Sequence, residues 1–447
     1  MESPVSTPTP PPPPSAPSNP TRREFVKVSA TTAAAAATAV ATGAGIPLRA
    51  FAAGSDEIRV GLVGAGSRGK GACVDCLSHS EGVRLVAIGD LTIDIATAAR
   101  SQLQQTEVAQ QVQVPDEALF AGLDAYTKVI NHPEVDLVIL TTSPGFRPMH
   151  LAEAVRAGKH VFMEKPVCVD PVGYRSVVES GEIAREKGLA IVAGTMFRRQ
   201  ESYIGAITLI HEGAIGTPLG GTSRYCSNGI WYRPRQPGMT DLQYQLANWY
   251  HFVWLSGDQV VEQAVHNIDA VVWAMGGPPR SAFGSGGQFT RPPDSEIYDS
   301  LSVDFSWGEG IDLSFKCRQI PGAKSTVMNT IVGTKGVAHI NPGGSKVITH
   351  EGTVLFEKVH KGPYPYALEH SHLIESIRSS RPLNEAKQVA ESSLAAVMAR
   401  MAAYTGQQVE WDFAAEESVL QLMPDHVDEN TPAPTPFVRI PGRHKLV

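Results

Sequence analysis

Cysteine is scarce in this chain. Five thiols in 447 residues exclude the disulfide framework of a small secreted scaffold. An excess of one charge is also missing: 38 Lys and Arg stand against 45 Asp and Glu, a net charge of −7. That mildly acidic balance leaves no basic footprint for nucleic acid. Charged residues make up 19% and apolar ones 42%, ordinary globular proportions in a length that suffices for two or three domains. No second C-x-x-C completes a zinc set, and no three-histidine set is evident, so no metal is expected. The single C-x-x-C, Cys73 and Cys76, reads as two small residues inside a helix. A long apolar run is wanting too. The weakly hydrophobic stretch Val28 to Ile46 is diluted by Ala, Thr and Gly and makes a poor permanent membrane span.

That stretch belongs to an address. Residues 2 to 20 hold nine prolines and build neither helix nor core. Thr21-Arg22-Arg23-Glu24-Phe25-Val26-Lys27 looks like a twin-arginine export signal. Ala50-Phe51-Ala52 offers a small-x-small cleavage site. Residues 1–53 are therefore expected to be a Pro-rich leader and signal peptide. The mature protein would start near Ala53 and work in the periplasm or otherwise outside the cytoplasm, exported already folded.

What is present is organised around Ile58 to Gly69. Ile58, Val60, Leu62 and Val63 form a short apolar run that reads as a buried strand. Gly64, Gly66 and Gly69 follow in the spacing G-x-G-x-x-G. Gly64 permits a tight turn, Gly66 lets a pyrophosphate approach the backbone, and Gly69 lets a helix pack close. Ser67 and Arg68 open that helix, whose free N–H groups suit phosphate. A second strand, Val83 to Ile88, leads to Asp90, 21 residues after Gly69, where a ribose-binding carboxylate belongs. Asp90 would accept from ribose hydroxyls and repel a 2′-phosphate, and no arginine adjoins it, so NAD is favoured over NADP.

Further strands at Val135–Leu140, His160–Met163 and Leu189–Ala193 alternate with helices at Met149–Ala157 and Val172–Glu186. Residues 54–198 are thus expected to be α/β, a doubly wound parallel sheet of Rossmann type. Ligands sit beyond the carboxyl ends of such strands. Asp90, the Thr142-Ser143-Pro144 turn and Glu164 all lie there, and join the glycine loop as cofactor-binding candidates. After about Gly216 the pattern changes. Leu301, Val303, Phe305 and Trp307 alternate with polar residues, as do Ile311, Leu313, Phe315 and Cys317 beyond Gly308-Glu309-Gly310, which reads as a hairpin with one buried face. More strands are expected at 218–226, 281–289, 326–332 and 337–349, and helices at His370–Ser379 and Lys387–Thr405. Residues 199–410 are read as an α+β domain with an open, mainly antiparallel sheet, and 411–447 as a tail over the surface.

Val260 to Met275 fits one helix. Glu262, His266, Asp269 and Trp273 share a stripe on it. The rest is so apolar that the helix must be largely buried, and its ionisable groups must be paired or line a cavity. Four of the six tryptophans fall between 231 and 273. Arg198, Tyr203, Trp231, Arg233 and Trp249 are candidate substrate contacts, because aromatic faces stack on sugar C–H faces and arginine binds hydroxyls. A hydrophobic cluster or subunit contact is the competing reading.

Three segments now combine: the glycine loop with Asp90, the string Ala157-Gly158-Lys159-His160-Val161-Phe162-Met163-Glu164-Lys165-Pro166, and Val260 to Asp269. Together they resemble the glucose–fructose oxidoreductase/inositol dehydrogenase (Gfo/Idh/MocA) family over essentially all of 58–410. Trp249–Asp269 is similar to exported members. The resemblance implies an NAD(P) domain followed by an open-sheet domain that carries a sugar or polyol substrate and often forms a homo-oligomer, dimer or tetramer. It implies that Lys165, which also lies at the cofactor, stands beside the reacting hydroxyl, aimed by a cis bond to Pro166. A free lysine, with a pKa of about 10.4, keeps its proton at neutral pH. Burial beside the cationic oxidised nicotinamide would disfavour that ammonium. By the same resemblance His266 exchanges the hydroxyl proton or orients the sugar. Glu262 stands where many members have aspartate, its carboxylate about one methylene further out. Asp269 orients the segment. The implied activity is NAD-dependent oxidation of a secondary hydroxyl. The alternatives are a glycoside lyase, hydrolase or epimerase that uses tightly bound NAD in a transient oxidation, and a non-catalytic sugar- or nucleotide-binding protein.

Overall fold

The computed structural model describes residues 57–433 and 437–447. The expected leader and export signal lie outside the described residues. The first apolar runs pair as a six-stranded parallel sheet of β1 (Ile58–Val63), β2 (Val83–Asp90), β3 (Leu119–Ala121), β4 (Leu137–Leu140), β5 (His160–Met163) and β6 (Ile191–Ala193), in the order β3-β2-β1-β4-β5-β6. Helices α1 (Ser67–Ser78), α2 (Ile93–Leu103), α3 (Ala125–Ile130), α4 (Arg147–Arg156) and α5 (Pro171–Glu186) make the crossovers. All four residues of β4 are buried, as a strand covered on both faces requires. Strand order reverses between β1 and β4, which opens a crevice at their carboxyl ends. The start of α5 is locally encoded: Asp170 caps it through Gly173 N at 2.6 Å, and Pro171 occupies its first turn.

The second half continues with α6 (Glu201–His211), β7 (Pro218–Ser227), α7 (Asp241–Ala247), α8 (Val253–Ser256), α9 (Gln259–Glu262) and α10 (Val265–Ala274). Strands β8 (Ser281–Gly287), β9 (Ser300–Ser306), β10 (Asp312–Gln319), β11 (Thr326–Gly333), β12 (Gly336–Asn341), β13 (Gly344–Thr349) and β14 (Val354–Val359) follow. Helices α11 (Tyr366–Arg378) and α12 (Ala386–Thr405) and a short β15 (Val409–Glu410) come last. The second sheet has nine strands in the order β14-β13-β12-β11-β7-β10-β9-β8-β15. Only the β7–β10 pair is parallel. The expected hairpin is β9–β10, with Phe305 opposite Leu313 and Val303 opposite Phe315, all buried.

Two expectations change. The stretch 337–349 is two strands, because Pro342-Gly343 turns the chain between β12 and β13. The helix over 260–275 is broken at Gln263-Ala264 into α9 and α10. The segment between α11 and α12 returns to the first sheet: Ile191 N donates to Leu383 O at 2.7 Å and Glu385 N to Ile191 O at 2.9 Å, beside β6. Along α12, alanine lets neighbours approach closely, and a Cβ on Gly181 of α5 would come within 2.7 Å of Ala386. The tail is tied down by Asp170, which accepts from Leu422 N at 2.7 Å, and by Arg175, which donates to Ala415 O and Ser418 O. Cys73 and Cys76 are both fully buried, and burial pushes both thiols up, so they pack and do not react. Among the described residues no helix is long and apolar enough to cross a membrane.

Candidate active site

The glycine loop leaves β1 at Gly64, which turns at φ +93°. A Cβ there would stand 2.7 Å from Thr142 N, and one on Gly69 would collide with the Gly64 carbonyl. Both positions demand glycine. At Gly66 a Cβ would meet nothing within 4 Å: the backbone faces open space of the kind a ligand fills. Helix α1 starts beside it without a side-chain cap, so its first N–H groups are free for an anion. Asp90 accepts from Ala65 N at 2.5 Å and Leu91 N at 2.6 Å, and each carboxylate oxygen keeps a lone pair for a hydroxyl. Burial raises the Asp90 pKa and the two N–H donors pull it down. Arg68 reaches across the crevice, pairs with Glu164 and with Asp75 at 3.2 Å, and lies 4.7 Å over the Tyr366 ring. Its Nη2 is buried without an acceptor. An open cradle, uncapped N–H groups and an orphan guanidinium nitrogen together fit a dinucleotide.

Glu164 fills the space that Gly194 leaves, since a Cβ there would touch its Oε2 at 2.5 Å. Arg147, 1% exposed, ties the ends of β4 and β5 by donating to Thr142 O at 2.6 Å and Glu164 O at 3.1 Å. The Thr142 hydroxyl lies 3.2 Å from His150 Nδ1, and Pro144 starts a tight turn after Ser143.

Lys165 follows β5, and its bond to Pro166 is cis. Its Nζ donates to Glu262 Oε1 at 3.0 Å and to the Glu262 main-chain oxygen. The break between α9 and α10 makes the second contact possible. In a regular helix His266 N would take the Glu262 carbonyl. Here it bonds Gln263 O at 3.4 Å, while Ala264 N reaches back to Gln259 O at 3.0 Å. The Glu262 carbonyl is left for the lysine. His266 packs edge-on against Phe197 with centroids 5.4 Å apart. Burial and the Lys165 charge hold its imidazole well below the usual range, so it is neutral at pH 7. Beyond it, Gln319 Nε2 donates to Gln263 and to Tyr250 OH, the latter at 2.8 Å. Trp231 and Trp249 lie against Tyr250 at 5.5 and 5.4 Å. This aromatic ledge adjoins the Glu262-Gln263 turn.

Residues 58–195 match the family model described as oxidoreductase family, NAD-binding Rossmann fold. Residues 203–339 match that of the GFO/IDH/MocA C-terminal domain, and the two matches cover more than half the chain. The chain belongs to the Gfo/Idh/MocA oxidoreductase family. Its amino-terminal domain is accordingly an NAD-binding domain. It is 29% identical over 177 residues to glycosyl hydrolase family 109 protein 2 of Shewanella sp. (strain ANA-3), covering 39% of this chain and 37% of that one. It is 29% identical over 163 residues to inositol 2-dehydrogenase of Klebsiella pneumoniae (strain 342), covering 36% and 44%. The chain thus spans less than half the length of these curated relatives. Aldose-aldose oxidoreductase from Caulobacter crescentus, complexed with glycerol, shares the fold at TM-score 0.62 and 18% identity, over 79% of this chain and 99% of that one. Scyllo-inositol dehydrogenase from Lactobacillus casei with NAD(H) and scyllo-inositol does so at 0.60 and 19%, over 79% and 99%.

In this Gfo/Idh/MocA member two expected substrate contacts have partners within the chain. Arg198 forks onto Asp269 at 2.8 to 3.1 Å and stacks 5.1 Å from the Trp273 ring. Asp269 also accepts from Ser392 Oγ of α12 at 2.7 Å. The break at Gln263-Ala264 puts Glu262 on α9 and leaves His266, Asp269 and Trp273 on α10, where His266 faces Lys165 and Asp269 and Trp273 meet Arg198. Tyr203 is fully buried and stacks behind Phe197 at 4.6 Å. Trp231 is 41% exposed, and the exposed Arg233 has its main chain gripped by Asn248 at 2.8 and 3.0 Å. Phe197, Gln263, Gln319 and Tyr366 escaped sequence reasoning. No spacing marks them, and the helix expected from His370 starts earlier, at Tyr366.

Proposed function

We propose that this protein oxidises a secondary hydroxyl of a sugar, polyol or glycoside with NAD. The observation that carries the reading is the meeting of Lys165, Glu262 and a neutral His266 beside a dinucleotide cradle. The glycine loop, Asp90, Arg68 and the Thr142–Pro144 turn would hold the cofactor. When bound, its nicotinamide accepts the hydride. This chain's residues handle the proton. Lys165, as the neutral amine, takes the proton of the substrate hydroxyl and His266 relays it onward to solvent, so the carbon loses a hydride, the oxygen a proton, and a ketone results. Glu262 holds the amine in place. Trp231, Trp249 and Arg233 are the sugar-facing surface of this reading. The likeness to inositol 2-dehydrogenases supports a polyol or sugar.

A second reading is favoured by the relatives named glycosyl hydrolase family 109. There the ketone is transient, acidifies the neighbouring C–H for elimination, and takes the hydride back. Arg68, bridging the glycine loop to Glu164, would help retain the cofactor. Export through the Arg22-Arg23 signal, proposed on sequence alone, favours it too, because outside the cytoplasm free NADH is not readily recycled.

The test incubates full-length protein and NAD with a panel of polyols and glycosides. Lasting NADH supports the first reading, and released aglycone with unchanged NAD supports the second. Lys165→Ala should lower either rate by about 10²- to 10⁴-fold while NAD still binds. An unaffected Lys165→Ala rate would sink both.

A further inference from the structure

A cavity of about 170 Å³ lies between α12 and the C-terminal segment, away from the Lys165 site. Val253, Met401, Leu420 and Leu422 give it an apolar wall. Its charged side chains are of one sign, and Tyr404, Thr405 and the C-terminal Val447 also line it. Arg400, Arg439, His444 and Lys445 line it, and no Asp or Glu side chain does. Arg400 is 2% exposed. Its Nη1 donates to Val169 O at 2.6 Å and Gly257 O at 3.1 Å, while its Nη2 is buried with no acceptor. His444 Nε2 is likewise buried and unpartnered. Arg439 already meets Glu296 at 3.6 Å. Among the described residues no carboxylate, side-chain or terminal, forms an ion pair with Arg400, His444 or Lys445. Burial pushes the Arg400 guanidinium down, with Asp170 and Asp258 opposing at longer range. A buried cation and two orphan nitrogens on one cavity call for hydrogen-bond acceptors, and the cation favours an anionic one.

We propose that this cavity binds a small carboxylate with a short apolar tail. The head would meet the guanidinium and imidazole, for which a planar carboxylate is the matching acceptor. The tail would lie on the aliphatic wall. A cavity of about 150 Å³ holds benzene, so a straight-chain acid of four to six carbons is about the right size. The site goes beyond the oxidoreductase reading and does not rest on it.

Calorimetric titration of the NAD-loaded full chain with acetate, butyrate, hexanoate and inorganic phosphate tests it. Loading covers the catalytic cleft. The expected result is one saturable site, strengthened about fourfold per methylene from acetate to butyrate. His444→Leu and Lys445→Met alter the tail segment, not the core, and should each weaken butyrate about tenfold or more with NAD affinity unchanged. Three results would each overturn the proposal: no saturable heat with any acid, equal butyrate affinity in wild type and both variants, or phosphate binding as tightly as butyrate.

Discussion

Replacing Glu369 with glutamine should stabilise the protein at alkaline pH and do little at acid pH. Glu369 is fully buried on α11, and neither carboxyl oxygen has a partner. The nearby cations are already engaged: Arg199 pairs with Glu385 at 2.6 Å, and Arg68 with Glu164 and Asp75. Burial, with Glu164 and Glu385 adding to it, pushes the Glu369 pKa well above its ordinary 4.5. A raised folded pKa contributes stability below the unfolded value and loses it as pH rises. Each pH unit above the unfolded value costs about 1.4 kcal/mol until the folded pKa is passed. Between about pH 4.5 and 7.5 the ceiling is therefore ~4 kcal/mol. Glutamine removes the titration but adds amide donors that, left unmet, cost ~1–3 kcal/mol. The net expectation at pH 8 is a gain of ~1–3 kcal/mol, with parity or a slight loss at pH 5. Urea unfolding of both proteins at pH 5, 6.5 and 8 measures it. A difference that does not widen with pH, or a loss at pH 8, would refute the burial of an uncompensated acid.

The acid side carries the opposite sign. Burial pushes His150 and His370 down to about 3 and His266 well below its ordinary 6.5, so their contribution is present above about pH 6.5 and is lost as pH falls toward 3. Thermal melting between pH 7 and 4 should drop steeply, by up to ~1.4 kcal/mol per unit for each histidine, and His370→Phe, which keeps the ring facing Phe162 at 4.0 Å, should flatten that slope. Gly66→Ala should melt like wild type without cofactor and bind NAD about tenfold or more weakly, because its Cβ enters empty space; unchanged NAD affinity in equilibrium titration would move the pyrophosphate elsewhere. Tyr203→Phe removes a buried, unpartnered hydroxyl and should stabilise by ~1 kcal/mol with turnover untouched, whereas a large fall in kcat would restore Tyr203 to the substrate.

The glycine loop, Asp90 and the alternation in β9 and β10 were legible because each is a local demand: a turn, a strand end, a two-faced strand. The break at Gln263-Ala264 was not. Its surroundings, Val-Val-Glu-Gln-Ala-Val-His, hold neither Gly nor Pro and favour a continuous helix. The interruption is met by distant partners, Lys165 and Gln319. Tyr203 misleads in the same way. Beside Arg198 it reads as a candidate substrate contact, yet Phe197 gives its ring a stacking partner in the interior. The return of residues 383–385 to β6 depends on a strand far back in the chain, which no window of sequence contains.

The carbonyl of Glu262 has an implication for how this cleft tolerates variation. One of the two acceptors steadying the lysine is main chain, and main chain survives any change of residue. Swapping the acid for a longer or shorter one would alter the second acceptor and leave the first in place. An acid of either length can thus stand at 262, and the amine still has a fixed mooring.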